Sequence, residues 1–349
     1  MEKTNKKGFK AFLAKKDIVF SAKRYGIDAL GAMAQGLFAS LLIGTILKTL
    51  GQQAGIDVLV EIGTFAQGAT GPAMAVAIGY ALKCPPLVLF SLVAVGSAAN
   101  SLGGAGGPLS VLIITIFAAE FGKLVSKETK VDIIVTPSVT ICIGVLLSMW
   151  WAPSIGAAAS AVGNAIKWAT ELQPFFMGIA VSVIVGMALT LPISSAAICA
   201  ALGLTGLAGG AAVAGCCAQM VGFAVMSFKE NKWGGLLAQG IGTSMLQVPN
   251  IMRKPVIWIP AIVSSAVLGP VSTMLLHMTN NATGSGMGTA GLVGQIMTWQ
   301  TMTAPEPQTV VLIKILAIQI ILPAINTLLV SEFMRKKGWI KYGDMKLDV

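Results

Sequence analysis

Between Ala29 and Val330 the chain is written almost entirely in apolar residues, interrupted by short polar, glycine-rich or proline-rich runs. Many of the apolar stretches are long enough to cross hydrocarbon, which takes about 20 helical residues. The pattern predicts clear spans at 29–50, 69–83, 107–125, 133–152, 174–191, 209–228, 256–278 and 309–331. Two further segments, 86–101 and 193–206, are shorter and dense in Gly, Ala and Ser. Counted as crossings or half-crossings, they bring the expected total to about ten, in an all-α, polytopic fold with broken or re-entrant pieces.

Composition sharpens this reading. The chain is 55% hydrophobic and 11% charged, against roughly 25% charged in an average soluble domain. Its mean hydropathy is +0.80, so lipid is the expected solvent. The net charge of +10 would suggest nucleic acid in a soluble protein, but the cations sit at the ends of the spans. Lys3, Lys6, Lys7, Lys10, Lys15, Lys16, Lys23 and Arg24 precede the first span, and Lys123, Lys127 and Lys130 follow the span at 107–125. Lys229, Lys232, Arg253, Lys254 and the run from Arg335 to Lys346 mark later boundaries. The positive-inside rule places these clusters and both termini in the cytoplasm, with 51–68, 153–173 and 279–308 facing outward. Residues 1–28 then read as a basic amphipathic segment on the inner leaflet of the plasma membrane, in contact with lipid. No nucleic-acid partner is expected.

A repeat organises the middle of the chain. Gly71 to Pro85 and Gly178 to Pro192 share the framework G-x-A-x-x-V-x-x-G-x-A-L-x-x-P, and each copy runs on into a short apolar segment, a glycine-rich break, a span and a basic loop. The expected organisation is membrane repeat 1 at 29–132, repeat 2 at 133–234, a C-terminal membrane unit with re-entrant segments at 235–332, and a cytoplasmic tail at 333–349. Basic loops at both copy ends favour a parallel repeat; re-entrant segments would allow an inverted one.

Candidate chemistry lies in the breaks, because non-helical backbone at membrane depth is tolerated only inside protein or along a wet cavity. Four stand out: Asn100 to Pro108, Gln247-Val-Pro-Asn250, Thr279 to Gly288, and Thr303 to Pro307. Their amides and open backbone suit a hydroxyl-rich solute, since a carboxamide both donates and accepts. The candidate binding residues are Asn100, Gln247, Asn250, His277, Asn280, Asn281 and Glu306. His277 is the only histidine in the chain, with a charge that switches near neutrality. Lys314 and Glu120 fall well inside spans, where a charge faces a cavity or a partner. Cys84, Cys142, Cys199, Cys216 and Cys217 make no metal-spaced pair and read as small buried hydrophobes. Tryptophans read mainly as interfacial anchors, with Trp299 the candidate site aromatic. There is no Walker loop, no HExxH and no DxD-like cluster, so no enzyme, metal or cofactor is expected.

The repeats, the Gly103 to Pro108 break and the run from Gln247 to Gly288 together resemble the phosphotransferase-system IIC-like membrane family, which includes perfringolysin regulator-like proteins. The resemblance covers Ala29 to Val330. It implies a sugar permease of about ten spans, a homodimer, and a substrate-holding domain that shifts as a rigid body. Glucose-type members carry a G-I-T-E-P-like signature whose Glu binds sugar; Thr303-Ala-Pro-Glu306-Pro307 matches it loosely, and only Glu306 carries over. Phosphorylation-coupled translocation also needs a IIB domain, which this chain does not contain, so a separate cytoplasmic IIB-type protein is the implied partner. Three functional readings remain: a carrier for a small polar solute, a membrane sensor that binds without transporting, and a channel.

Overall fold

The computed structural model describes residues 11–347, so Lys3, Lys6, Lys7 and Lys10 lie outside the described residues. Within 11–347 the protein is helical and carries no β-strand; a single antiparallel bridge joins Gly206 to Asn280. Among the described residues, six helical stretches are long and apolar enough to cross a membrane: Arg24–Ala54, Pro86–Val125, Asp132–Thr170, Gly206–Met226, Pro255–Leu275 and Gln308–Lys336. A shorter apolar helix covers Pro174–Thr190. The 40-residue stretch Pro86–Val125 is a hairpin of two helices, 86–103 and 107–125. At its tip Gly104 has φ +50°, a conformation open to glycine and strained for most other residues. The hairpin closes antiparallel, with Val88 side-chain carbons lying against Gly122.

The chain divides into two compact units. One contains residues 11–40 together with Gly68–Gly156. Its helices 29–37, 70–81, 86–103 and 107–125 pack in sequence through small residues, Gly36 against the Ala73 backbone and Gly71 against Gly96. Close backbone approach of this kind is how helices associate where lipid removes the hydrophobic drive. Polar groups fasten one end. Lys123 is almost fully buried and donates to Asp17 O at 2.8 Å and Leu82 O at 3.1 Å, while its Nζ lies 3.0 Å from Glu120 Oε2. Tyr25 donates to the other Glu120 oxygen at 2.9 Å, and Arg24 holds Asp17 and Leu82 O. The guanidinium bonded to Asp17 keeps its carboxyl below the usual range despite partial burial.

The second unit contains Leu41–Gln67 and residues 157–347. Its axis is the 206–226 helix, in which nearly every residue is buried. Helices 174–190, 255–275 and 308–336 surround it. One apolar core joins Ala214, Ala218, Leu268, Met278, Val311 and Ile318; a second joins Phe223, Ile251, Ile257, Met334, Ile340 and Met345.

Two of the stretches that lie between the expected spans are helical. Asp57–Gly68 forms a helix that folds back on Ile43–Ala54, with Gly44 and Gly63 face to face and Gln67 donating to Thr45 at 2.9 Å. The helix beginning at Asp132 continues through Pro153 to Thr170, 39 residues or roughly 58 Å at 1.5 Å per residue. Its 156–169 portion is rich in alanine, the strongest helix former, and needs no lipid-length apolar run to stay helical. Residues 70–125 and 174–226 share an order of helix, Pro-marked turn, helix, break and helix, with a second helix of 18 residues in the one and 7 in the other.

Candidate functional site

The breaks of the second unit are built from buried amides, and the structure sorts the candidates into separate groups. Asn280 is fully buried at the bridge to Gly206. Its Nδ2 donates to Gly294 O at 3.2 Å and Thr298 Oγ1 at 3.1 Å. Thr298 Oγ1 also accepts from Gln319 Nε2 at 2.8 Å and donates to Gly294 O at 2.8 Å. Gln319 is fully buried within the 308–336 helix, and its Oε1 has no hydrogen-bond partner. One helical turn from Thr298, Gln295 donates to Cys217 Sγ at 3.5 Å and its Oε1 is likewise unpartnered. Two carboxamide oxygens thus stand as open acceptors, that of Gln319 beside Thr298 and that of Gln295 one helical turn along the 293–302 helix.

Asn281 does a different job. Its Oδ1 caps the short turn that follows by accepting from Gly284 N–H at 3.0 Å, and its Nδ2 lies 3.3 Å from Met297 Sδ. Aspartate, asparagine and serine are the preferred residues for such a cap because they supply an acceptor to an orphan N–H. His277 is exposed, with φ +46° where the 255–275 helix has ended. Glu306 takes both of its oxygens to Lys314 Nζ, each at 2.8 Å. That pair supplies the partner expected for a lysine lying inside an apolar span.

Gln247 and Asn250 form another group. Gln247 Nε2 donates to Gln239 Oε1 and to Met345 O, both at 2.9 Å. Asn250 Nδ2 donates to Gln247 Oε1 at 2.9 Å and Lys346 O at 2.8 Å. Close by in sequence, Ser244 bonds Thr190 at 2.8 Å, and Thr190 bonds Gln219 Oε1, which also accepts from Trp258 Nε1 at 2.7 Å. Trp258 is therefore an internal donor as well. Asp344 pairs with Lys254 at 2.6 Å. Partial burial pushes the Asp344 carboxyl up, but Lys254 and the Lys341 N–H together outweigh it and hold it below the ordinary carboxylate range. This contact contributes fully above that range, about pH 4, and is lost as pH falls through the depressed value. Attachment of residues 343–347 is therefore expected to be unchanged between pH 7 and pH 5, as read by protease protection of that stretch.

Asn100 belongs to the other unit, in the last turn of the 86–103 helix, half-buried against Gly71 and Gly107. All five cysteines are free thiols; Cys199, Cys216 and Cys217 are buried, Cys84 is half-buried and Cys142 is exposed. The candidates that the breaks did not reveal are Gln219, Gln295, Thr298 and Gln319. Gln319 carried a signal, a lone carboxamide among isoleucines and leucines.

Compared with known families, residues 27–347 match the one described as "Phosphotransferase system, EIIC". No curated protein and no solved structure gives a match.

Proposed function

This chain belongs to the phosphotransferase system EIIC family, multi-pass membrane permease components of sugar transport, and from that premise we propose that it carries a sugar or related polyol held by the polar cluster Asn280, Thr298, Gln295 and Gln319. The observation that carries the reading is the unpartnered Oε1 of Gln319, fully buried in the larger unit. A buried acceptor left without a donor costs about 1–3 kcal/mol. A solute hydroxyl supplies the missing donor, and the same hydroxyl oxygen can accept from a neighbouring amide. Glu306, whose oxygens accept from Lys314, and His277 stand as further contacts on the solute's route. The basic span ends support cytoplasmic termini. A separate IIB-type protein is the proposed phosphoryl donor where translocation is coupled.

The test is a thermal-shift and binding screen of purified protein against hexoses and hexitols, run alongside Gln319→Leu. The wild type is expected to be stabilised by at least one compound. Gln319→Leu is expected to bind it at least tenfold more weakly, about 1.4 kcal/mol for one hydrogen bond, while melting at a higher temperature without solute because the orphaned acceptor is gone. Unchanged affinity in Gln319→Leu would move the site elsewhere. Flux of the same compound into proteoliposomes separates a carrier from a sensor, which binds without flux.

A further inference from the structure

Residues 340–347 form no helix, yet they are gripped along their length. Ile340, Met345 and Leu347 are buried, the first two in the core with Phe223, Ile251, Ile257 and Met334. Between these anchors the backbone itself is recognised. Asn231 Nδ2 at 2.8 Å and Gln247 Nε2 at 2.9 Å both donate to Met345 O. Asn250 Nδ2 donates to Lys346 O, and Leu347 N–H donates to Asn231 Oδ1, each at 2.8 Å. A surface peptide has water for these bonds. Withdrawing carboxamides from water to hold a peptide makes a receptor for that peptide.

The same amides have a second side. Gln247 ends the 3-10 turn Ser244–Gln247, and the first residue of that turn bonds Thr190 and through it Gln219. One short turn thus joins the peptide slot to a strip of buried polar groups that reaches Trp258 and Ser265. Taking the peptide away leaves the Gln247–Gln239, Asn250–Gln247 and Gln239–Ser227 bonds in place. It uncovers one amide N–H on each of Asn231, Gln247 and Asn250, the Oδ1 of Asn231, and the core position of Met345. The slot therefore empties without dismantling the strip behind it. The tether outside it, Lys254 to Asp344, is partly exposed and of a kind that costs little to open.

We infer that residues 343–347 are a built-in plug, closing one end of the buried polar strip of the larger unit and leaving their slot when solute passes. The inference rests on the carrier reading, and it names the competition: peptide carbonyls and solute hydroxyl oxygens accept from the same three N–H groups. Lys229, Lys232, Arg253 and Lys254 cluster in the sequence around this slot, so the positive-inside rule makes it the cytoplasmic end.

Two measurements test it. Met345→Cys, or Leu347→Cys where the first folds poorly, is exposed to a maleimide under native conditions and compared with the fully buried native Cys217. A plug opens locally, so the introduced thiol is expected to react at least 100-fold faster than Cys217, with little dependence on denaturant. Equal rates with equal denaturant dependence would make the peptide a fixed clip and overturn the inference, whether or not the protein carries sugar. In the second, Lys254→Cys/Asp344→Cys is bridged by a short reducible bis-thiosulfonate, with each single variant as control, and uptake of radiolabelled glucose and mannitol into proteoliposomes is followed. Bridging is expected to reduce uptake at least tenfold, with recovery on reduction; unchanged uptake in the bridged protein overturns the plug. Absence of uptake in the unbridged wild type counts against the carrier reading, and the thiol comparison still decides whether the peptide leaves its slot.

Discussion

Gly215→Val is expected to abolish accumulation of folded protein. Helices 174–190 and 206–226 cross so closely there that a Cβ on Gly215 would fall inside the Ser182 carbonyl. Backbone meets backbone, so no side chain can rotate away, and the helices themselves would have to separate. Separation is opposed one turn away, where Gly178 and Gly269 bring the 174–190 and 255–275 helices into similar contact. Overpacking that shifts whole helices in a close-packed core belongs among the rare changes costing more than about 4 kcal/mol. The readout is the monodisperse fraction after detergent extraction. Gly234→Ala, at a position with open space around it, is the control expected to leave that fraction unchanged.

Lys123→Met is expected to destabilise the smaller unit by about 3–5 kcal/mol, the usual cost of removing one partner from a buried ion pair. Only 1% of this side chain is exposed, and it serves three oxygens at once. Without it Glu120 keeps the Tyr25 hydroxyl but loses its countercharge, and the carbonyls of Asp17 and Leu82 lose a donor. The loss falls mainly on the charge. Adding Glu120→Gln should therefore restore more than half of the lost stability, measured as the midpoint of thermal unfolding, and a double variant no more stable than Lys123→Met would show that the carbonyl contacts dominate.

Much of the helical architecture could be read from apolar run length, because lipid permits few alternatives. Two helices outside the expected spans show where that signal fails. Residues 57–68 and 156–169 are not apolar enough to announce a crossing, and they are helical because a glycine face packs in one and alanine favours the helix in the other. Site residues were legible as types rather than as partners. Asn281 was visible as a carboxamide in a break, but whether it meets a solute or caps a turn depends on where the Gly284 N–H lies. Gln247 and Asn250 were conspicuous for the same reason, and a peptide almost 100 positions away in sequence occupies them. Glu120 with Lys123 and Glu306 with Lys314 were closer to readable, since their spacings of three and eight positions allow the pairing directly.

The contact between Glu306 and Lys314 has an electrical consequence. A membrane potential does work of about 2.3 kcal/mol per 100 mV on each elementary charge that crosses it. A carboxylate bound through both oxygens to one ammonium presents no net charge to that field, so displacing the pair as a unit costs nothing in voltage. Carriage along the proposed route is then expected to run at the same rate in polarised and depolarised vesicles, because the charge of this acid is already cancelled.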